Sequence, residues 1–252
     1  MLPVVFVHGL IGSFGIERWP TPPDAPPSLS PDLIGYGVRS GADPAAITID
    51  AQVGHLLAEV DRAMPGGRVH LVGHSVGGVI AMAFAHRHPG RVASVVNVEG
   101  NFAPADAFWS SQLAAQTPAE VAEFLRGCRR DPVRWLRDGG IRPTEDRVRR
   151  AGRALAFQPA STLHATARAV VEFTTGDAYQ RMLREVFGRT AVHLVAGRRS
   201  RAGWHVPGWA LDAAASYHEV PDAGHMIALE APERFGRTLD AVLRHPGMAL
   251  RR

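Results

Sequence analysis

Short apolar runs alternate along this chain with longer stretches whose apolar residues recur at helical spacing. Val4-Val5-Phe6-Val7 reads as a buried strand running into His8-Gly9-Leu10-Ile11-Gly12. Prolines dominate from Pro20 to Pro31, which excludes a regular helix there, and a second strand is expected around Ser28 to Leu33. After Thr48, residues Val53, Leu56, Leu57, Val60 and Met64 follow a helical period that Gly66-Gly67 ends. Next come an apolar run Val69 to Val72, a small-residue helix ending near His88-Pro89-Gly90, and a strand Val92 to Val98. From Phe102 to Gly188 the patterning is helical only. Alternation resumes at Val192 to Gly197, followed by a short strand Tyr217 to Val220 and a helix that Pro232 opens and that runs through Leu243. Strands alternating with helices at this spacing predict a parallel sheet covered on both faces. The helical stretch predicts an insertion, so the expected organisation is an α/β core of residues 1–101 and 189–252 with a helical lid over 102–188.

Between the third apolar run and its helix lies Gly73-His74-Ser75-Val76-Gly77. A G-x-S-x-G joining a strand to a helix reads as a nucleophile elbow. Glycines flank a turn too tight for side chains. The serine hydroxyl is lifted clear, and the first amides of the helix aim at the same point. Ser75 is the expected nucleophile.

Beyond the elbow, His8-Gly9, the run Asp32-Leu33-Ile34-Gly35-Tyr36-Gly37-Val38-Arg39-Ser40, and Ala223-Gly224-His225 occur in an order that resembles the α/β-hydrolase superfamily over nearly the whole chain. The resemblance implies an α/β-hydrolase fold with a mostly parallel sheet. Val4–Val7 would take the place of the family's third strand, leaving about six strands. It also implies that His225, following the last strand, is the base that activates Ser75. His74 is expected to point away across the turn in a packing role, and His8 to shape its turn. Many members place the third residue, an aspartate, just beyond the strand that here ends at Gly197, yet this chain reads Arg198-Arg199-Ser200-Arg201. Serine cannot supply the negative charge that stabilises an imidazolium. The alternative place is the end of the strand after the elbow helix, which Glu99 occupies, as a glutamate does in haloalkane dehalogenases. Glu99 is thus expected to orient His225, with Asp106 as the other candidate. Dehalogenation is excluded because the dehalogenase nucleophile is an aspartate. For the developing oxyanion, the backbone amides of Val76 and Leu10 are the expected donors.

Composition narrows the picture further. The 252 residues are 46% hydrophobic and 21% charged, sufficient for one sizeable core with an insertion. All 28 basic residues are arginine, which raises the pI of about 10.1 without pointing to nucleic acid. Cys128 is the single cysteine, so no intramolecular disulfide is expected. The N-terminus is too short and uncharged for a signal peptide, and no apolar stretch reaches membrane-spanning length. These features predict a cytoplasmic protein. Neither an HExxH nor a Cys/His cluster is present, so neither a metal nor an organic cofactor is expected.

The expected activity is a serine hydrolase acting on a small-molecule acyl substrate: a carboxylic ester, thioester or lactone. An acyltransferase or cyclase, a C–C bond hydrolase or lyase, and a slow or non-catalytic receptor of the same fold are the alternatives. Phe102, Phe108 and Trp109, just beyond Glu99, are expected to wall the pocket. The arginines between Arg126 and Arg153 read as a solvated face or as a dock for a CoA- or carrier-bound acyl group. Oligomeric state and substrate identity do not follow from the sequence.

Overall fold

The computed structural model describes residues 2–15 and 25–244. Strands β1 (Val4–Val7), β2 (Ser28–Leu29), β3 (Val69–His74), β4 (Val92–Val98), β5 (Ala191–Gly197) and β6 (Ser216–Val220) form one parallel sheet in the order β2-β1-β3-β4-β5-β6. The strand expected from Ser28 to Leu33 pairs only through Ser28 and Leu29. Pro31 has no N–H to donate to a ladder, and the chain turns at Ile34-Gly35, where Tyr36 N–H bonds Leu33 O at 2.9 Å. Pro20, Pro22 and Pro23 lie outside the described residues.

Successive residues of each inner strand are buried on opposite faces. Leu71 packs in one apolar cluster and Val72 in the other; Val95 and Val96 divide in the same way. Burial on both faces is why these strands are continuous apolar runs rather than alternating ones. Helix α1 (Ile49–Ala63) starts at Thr48, whose hydroxyl accepts from Ala51 N–H at 3.0 Å. Helix α2 (Val76–Arg87) is buried from Val76 to Ala85 because it lies between the sheet and α1.

Among the described residues, only helical elements separate β4 from β5: α3 (Phe108–Ala114), α4 (Pro118–Arg130), α5 (Pro132–Asp138), α6 (Glu145–Ala156), α7 (Ala160–Thr174) and α8 (Asp177–Arg189). Their starts are written in the sequence. Thr117 and Glu120 form a reciprocal capping box on α4, Asp131 caps α5 ahead of Pro132, and Thr144 caps α6. Helices α3 and α4 pack on α7, whereas α8 packs on α2 and β5. After β5 come α9 (Gly208–Ala213), α10 (Ile227–Glu230) and α11 (Pro232–Arg244). Phe235, Leu239 and Val242 of α11 close the second face over Val72, Val96, Val195 and Val220.

Strand register decides what meets at the carboxyl edge. His74 stands beside Val98, Val98 beside Val195, and Gly197 beside Val220. Ser75, Glu99, Ser200 and His225 all follow these ends within a few residues.

Close packing makes one elbow glycine irreplaceable. A Cβ on Gly77 would strike the backbone carbonyls of Val7 and His8, whereas one on Gly54 in α1 meets nothing within 4 Å. Gly77→Ala should therefore destabilise the protein by ~1–3 kcal/mol through overpacking. Gly54→Ala should stabilise it by up to ~1 kcal/mol through helix propensity. Urea unfolding of both variants checks the contrast, and equal effects would contradict it.

Candidate active site

Ser75 sits between β3 and α2 with φ 54° and ψ −121°, a conformation that L residues avoid. Its N–H donates to Val98 O at 2.9 Å, and its carbonyl accepts from Gly78 N–H at 2.8 Å. The turn is thus tied to β4 on one side and to α2 on the other. Gly73 permits it, because a Cβ there would run into the Gly77 backbone.

Glu99, the first residue after β4, is 4% exposed and also has a positive φ, 46°. Its Oε2 lies 2.7 Å from His225 Nδ1. Its Oε1 accepts from Gly197 N–H at 2.7 Å and from Ser200 Oγ–H at 2.5 Å. Burial alone would raise the carboxyl pKa. The hydrogen bond to His225 and that ring's charge, with the Ser200 hydroxyl and the Gly197 amide, outweigh it and hold the pKa below the usual range. The anion is the stable form. Because Glu99 can only accept, His225 carries its proton on Nδ1 and leaves Nε2 as the available base.

Nε2 has no hydrogen bond among the described residues, and it is Ser75 and His225 together that line a cavity of about 640 Å³. Bonds between a serine and its base commonly tighten only when substrate is bound. The candidate oxyanion donors are unengaged: neither Leu10 N–H nor Val76 N–H has an acceptor among the described residues. Leu10 lines the cavity. Its carbonyl accepts from Tyr36 O–H at 3.0 Å, and Gly12 N–H two residues on donates to Gln158 Oε1 at 3.1 Å. The turn that carries Leu10 is therefore fixed from two sides.

Asp106 does not meet His225. Its side chain accepts from the N–H groups of Phe102, Ala103 and His205, and it faces the His205 ring at 3.0 Å. Phe108 and Trp109 line the cavity, with Phe124, Trp135, Ile141 and Met226. Phe102 does not. It is 1% exposed and packs against Phe187 and Trp204 in the core, so the expectation of a pocket role is corrected. Cys128 also lines the cavity, and burial raises its thiol pKa. Among the described residues no three His, Cys, Asp or Glu side chains are grouped to hold a metal ion.

His74 does more than pack. Its Nε2–H donates to His225 O at 2.8 Å, and the two rings lie 4.8 Å apart. Ser200, Tyr36, Gln158 and His74 are the supporting residues that sequence reasoning missed. Tyr36 was visible as part of the Asp32–Ser40 run, and Ser200 as the residue standing where a carboxylate was expected; Gln158 carries no signal at all.

The sequence profile of the alpha/beta hydrolase family matches residues 4–238. The chain belongs to that family. This α/β-hydrolase is 36% identical over 101 residues to a 2-hydroxy-6-oxo-2,4-heptadienoate hydrolase of Pseudomonas putida, covering 37% of this chain and 36% of that one. It is 38% identical over 96 residues to the lipase LipV of Mycobacterium tuberculosis, covering 38% and 34%. The matches thus span about a third of these relatives. In fold it is similar to a thermophilic esterase from Thermogutta terrifontis, with a TM-score of 0.68 at 19% identity over 98% of this chain and 91% of that one. No helix among the described residues is long and apolar enough to cross a membrane.

Two histidines beside the site titrate abnormally. Burial lowers His8 from 6.5 to about 4, against the partial help of its Nδ1–H bond to Gly9 O and the charge of Asp32. Burial and the charge of His225 lower His74 to about 3. Below 6.5 the unfolded chain binds protons that these native rings refuse, so their effect is to make stability fall with acidification. Denaturant midpoints should decline as pH drops from 6.5 towards 4, with a shallower slope in His74→Asn. A flat profile for the native protein would exclude this coupling.

Proposed function

We propose that this α/β-hydrolase is a serine hydrolase cleaving a carboxylic ester, thioester or lactone through an acyl-enzyme. The observation that carries the reading is the 2.7 Å contact of His225 Nδ1 with a buried Glu99, at the wall of a cavity into which a strained turn presents Ser75. His225 Nε2 accepts the Ser75 proton as Oγ attacks the carbonyl. Glu99 stabilises the imidazolium, and the Leu10 and Val76 amides receive the oxyanion. His225 then protonates the leaving group and activates the water that releases the acid. None of these steps asks for a group outside the chain.

In this reading α3, α4 and α5, within the 102–188 segment, act as a lid. They supply most of the apolar wall around a small-molecule substrate. The lid arginines are largely engaged. Arg126 and Arg130 pair with Glu123, Arg134 with Asp138, and Arg149 and Arg150 with Asp146. Arg129 donates to the carbonyls of Leu155 and Gln158. Recognition of a CoA- or carrier-bound acyl group would fall to Arg137, Arg142 and Arg153. A substrate carrying a carboxylate, such as the oxo-dienoate in the Pseudomonas relative's name, has less support, since both cavity arginines are paired.

Ser75→Ala should reduce hydrolysis of a short-chain nitrophenyl ester to background. A native rate equal to the mutant's would exclude the reading. Product analysis with an added alcohol or amine separates hydrolysis from acyl transfer.

Glu99→Gln keeps the shape but reverses the carboxylate's demand on the His225 tautomer. It should cut kcat by ~10³–10⁴ with little change in KM. Ser200→Ala removes one donor to Glu99 and should cost about tenfold. Steady-state kinetics on the same ester rank the two, and the opposite order would place the essential contact at Ser200.

A further inference from the structure

The loop leaving β4 is held along its backbone. Gly100 N–H donates to Asn97 Oδ1 at 2.6 Å, and Gly100 O accepts from Trp204 Nε1–H at 2.9 Å. Asn101 O accepts from Tyr179 O–H at 2.5 Å, and Phe102 O from Gln180 Nε2–H at 2.5 Å. Asp106 Oδ2 takes the next two amides, of Phe102 and Ala103, at 2.9 and 3.1 Å. Three side chains from distant parts of the chain, Trp204, Tyr179 and Gln180, and two neighbours, Asn97 and Asp106, thus fix a few residues of loop.

One polar group in that loop is left over. Asn101 is 3% exposed and lines the cavity with Ser75 and His225. Its carboxamide has no hydrogen-bond partner among the described residues, although Asn97, four residues earlier, is satisfied by Gly100. Neither its oxygen nor its nitrogen is among the fully enclosed unpaired polar atoms, so the amide opens onto the cavity, where water or a substrate group meets it. Its backbone does not move to find a partner, because Tyr179 and Gln180 hold it. The group is pre-organised toward the cavity rather than toward the protein.

The surroundings define what it can take. Asp106 is saturated by loop amides and His205, and Glu230 by Arg199 and Gly224 N–H. Arg130 and Arg134 are paired with Glu123 and Asp138. No unpaired cation among the cavity residues offers itself to a substrate carboxylate, so a charged group would enter at a desolvation loss. A carboxamide, donor and acceptor at once, suits a neutral oxygen. Asn101 and Ser75 line the same cavity, and Ser75 N–H is bonded to Val98 O, three residues before Asn101.

We propose that Asn101 is a specificity-determining residue that selects acyl substrates bearing a neutral hydroxyl or oxo oxygen near the scissile carbonyl. The inference rests on the serine hydrolase reading of the same cavity. A site built to hydrogen-bond such a group discriminates against analogues lacking it far more sharply than an apolar pocket discriminates by size.

The test compares nitrophenyl butanoate with nitrophenyl esters of 2-hydroxy-, 3-hydroxy- and 3-oxobutanoate. At least one oxygenated ester should be preferred roughly tenfold to a hundredfold in kcat/KM by the native protein. In Asn101→Leu that ratio should collapse to about one, because the oxygenated ester loses far more kcat/KM than the plain one. The same variant should unfold close to the native temperature, because the amide it replaces bonds no other part of the described chain. A native preference for the plain ester over all three, or a ratio unchanged in a variant that keeps its unfolding temperature, would each overturn the proposal. If neither ester class is turned over faster than by Ser75→Ala, the hydrolase reading has failed instead. The selectivity claim is then decided by calorimetric binding of methyl 2-hydroxy-, 3-hydroxy- and 3-oxobutanoate against methyl butanoate, in Ser75→Ala with and without Asn101→Leu. Equal affinity for all four methyl esters would refute it.

Discussion

The buried carboxylate of Glu99 is the contact on which the site depends. It is an anion taken out of water, and such a group is tolerated only where donors replace the lost hydration. Three donors do so: the His225 ring, the Gly197 amide and the Ser200 hydroxyl. Each comes from the carboxyl end of β5 or the loop after β6, while Glu99 itself ends β4. A shift of one residue between β4 and β5 would carry the carboxylate to the other face of the sheet and strand it. The register Val98 to Val195 is therefore as much a part of the site as the side chains.

The backbone strain has the same origin. Among the described residues the non-glycine residues with positive φ are Ser75, Glu99 and Asp222, and they follow β3, β4 and β6. Each chain end must turn abruptly where its strand stops, to bring Ser75, Glu99 and His225 over one edge. Such conformations persist only where the surroundings over-determine them. The close-packed elbow supplies that constraint for Ser75, and hydrogen bonds to Val195 O and Gly197 N–H supply it for Glu99. Supporting contacts continue outward. His74 holds the His225 backbone and Tyr36 holds the Leu10 turn. Arg199 and Gly224 N–H share Glu230, tying the loop after β5 to the loop that carries His225.

Much of this was legible before any coordinates. Parallel strands buried on both faces leave apolar runs, and four of the six strands, β1, β3, β4 and β5, announce themselves in that way. The short β2 ends before the expected Leu33 because Pro31 cannot extend the ladder and the chain turns at Ile34-Gly35. Ser75 and His225 were readable from local motifs. Glu99 is what the family resemblance implies once Ser200 cannot carry charge, and its carboxylate lies 2.7 Å from His225 Nδ1. What stayed hidden depends on packing across long sequence distances. Phe102 looked like a pocket residue by its place in the chain, yet it turns into the core against Phe187 and Trp204. Gln158 reaches the Leu10 turn from 146 residues away, and no local pattern encodes that contact.

The charge balance of the cavity also changes how an arginine-rich chain is to be understood. A positive total and a high pI suggest a surface that attracts anions, but total charge says little about a particular wall. Around the cavity each arginine meets a carboxylate within a turn or two of helix, so the local field is short-ranged and readily screened. What remains around the cavity beside Ser75 is an aromatic and aliphatic surface, the Leu10 turn, the Ser110 and Cys128 side chains and the Asn101 carboxamide. A cavity of this kind distinguishes ligands by shape and by neutral hydrogen bonds, because it offers nothing to balance a buried ionic charge. Selectivity at Ser75 should accordingly respond weakly to ionic strength, even though the protein as a whole is strongly basic.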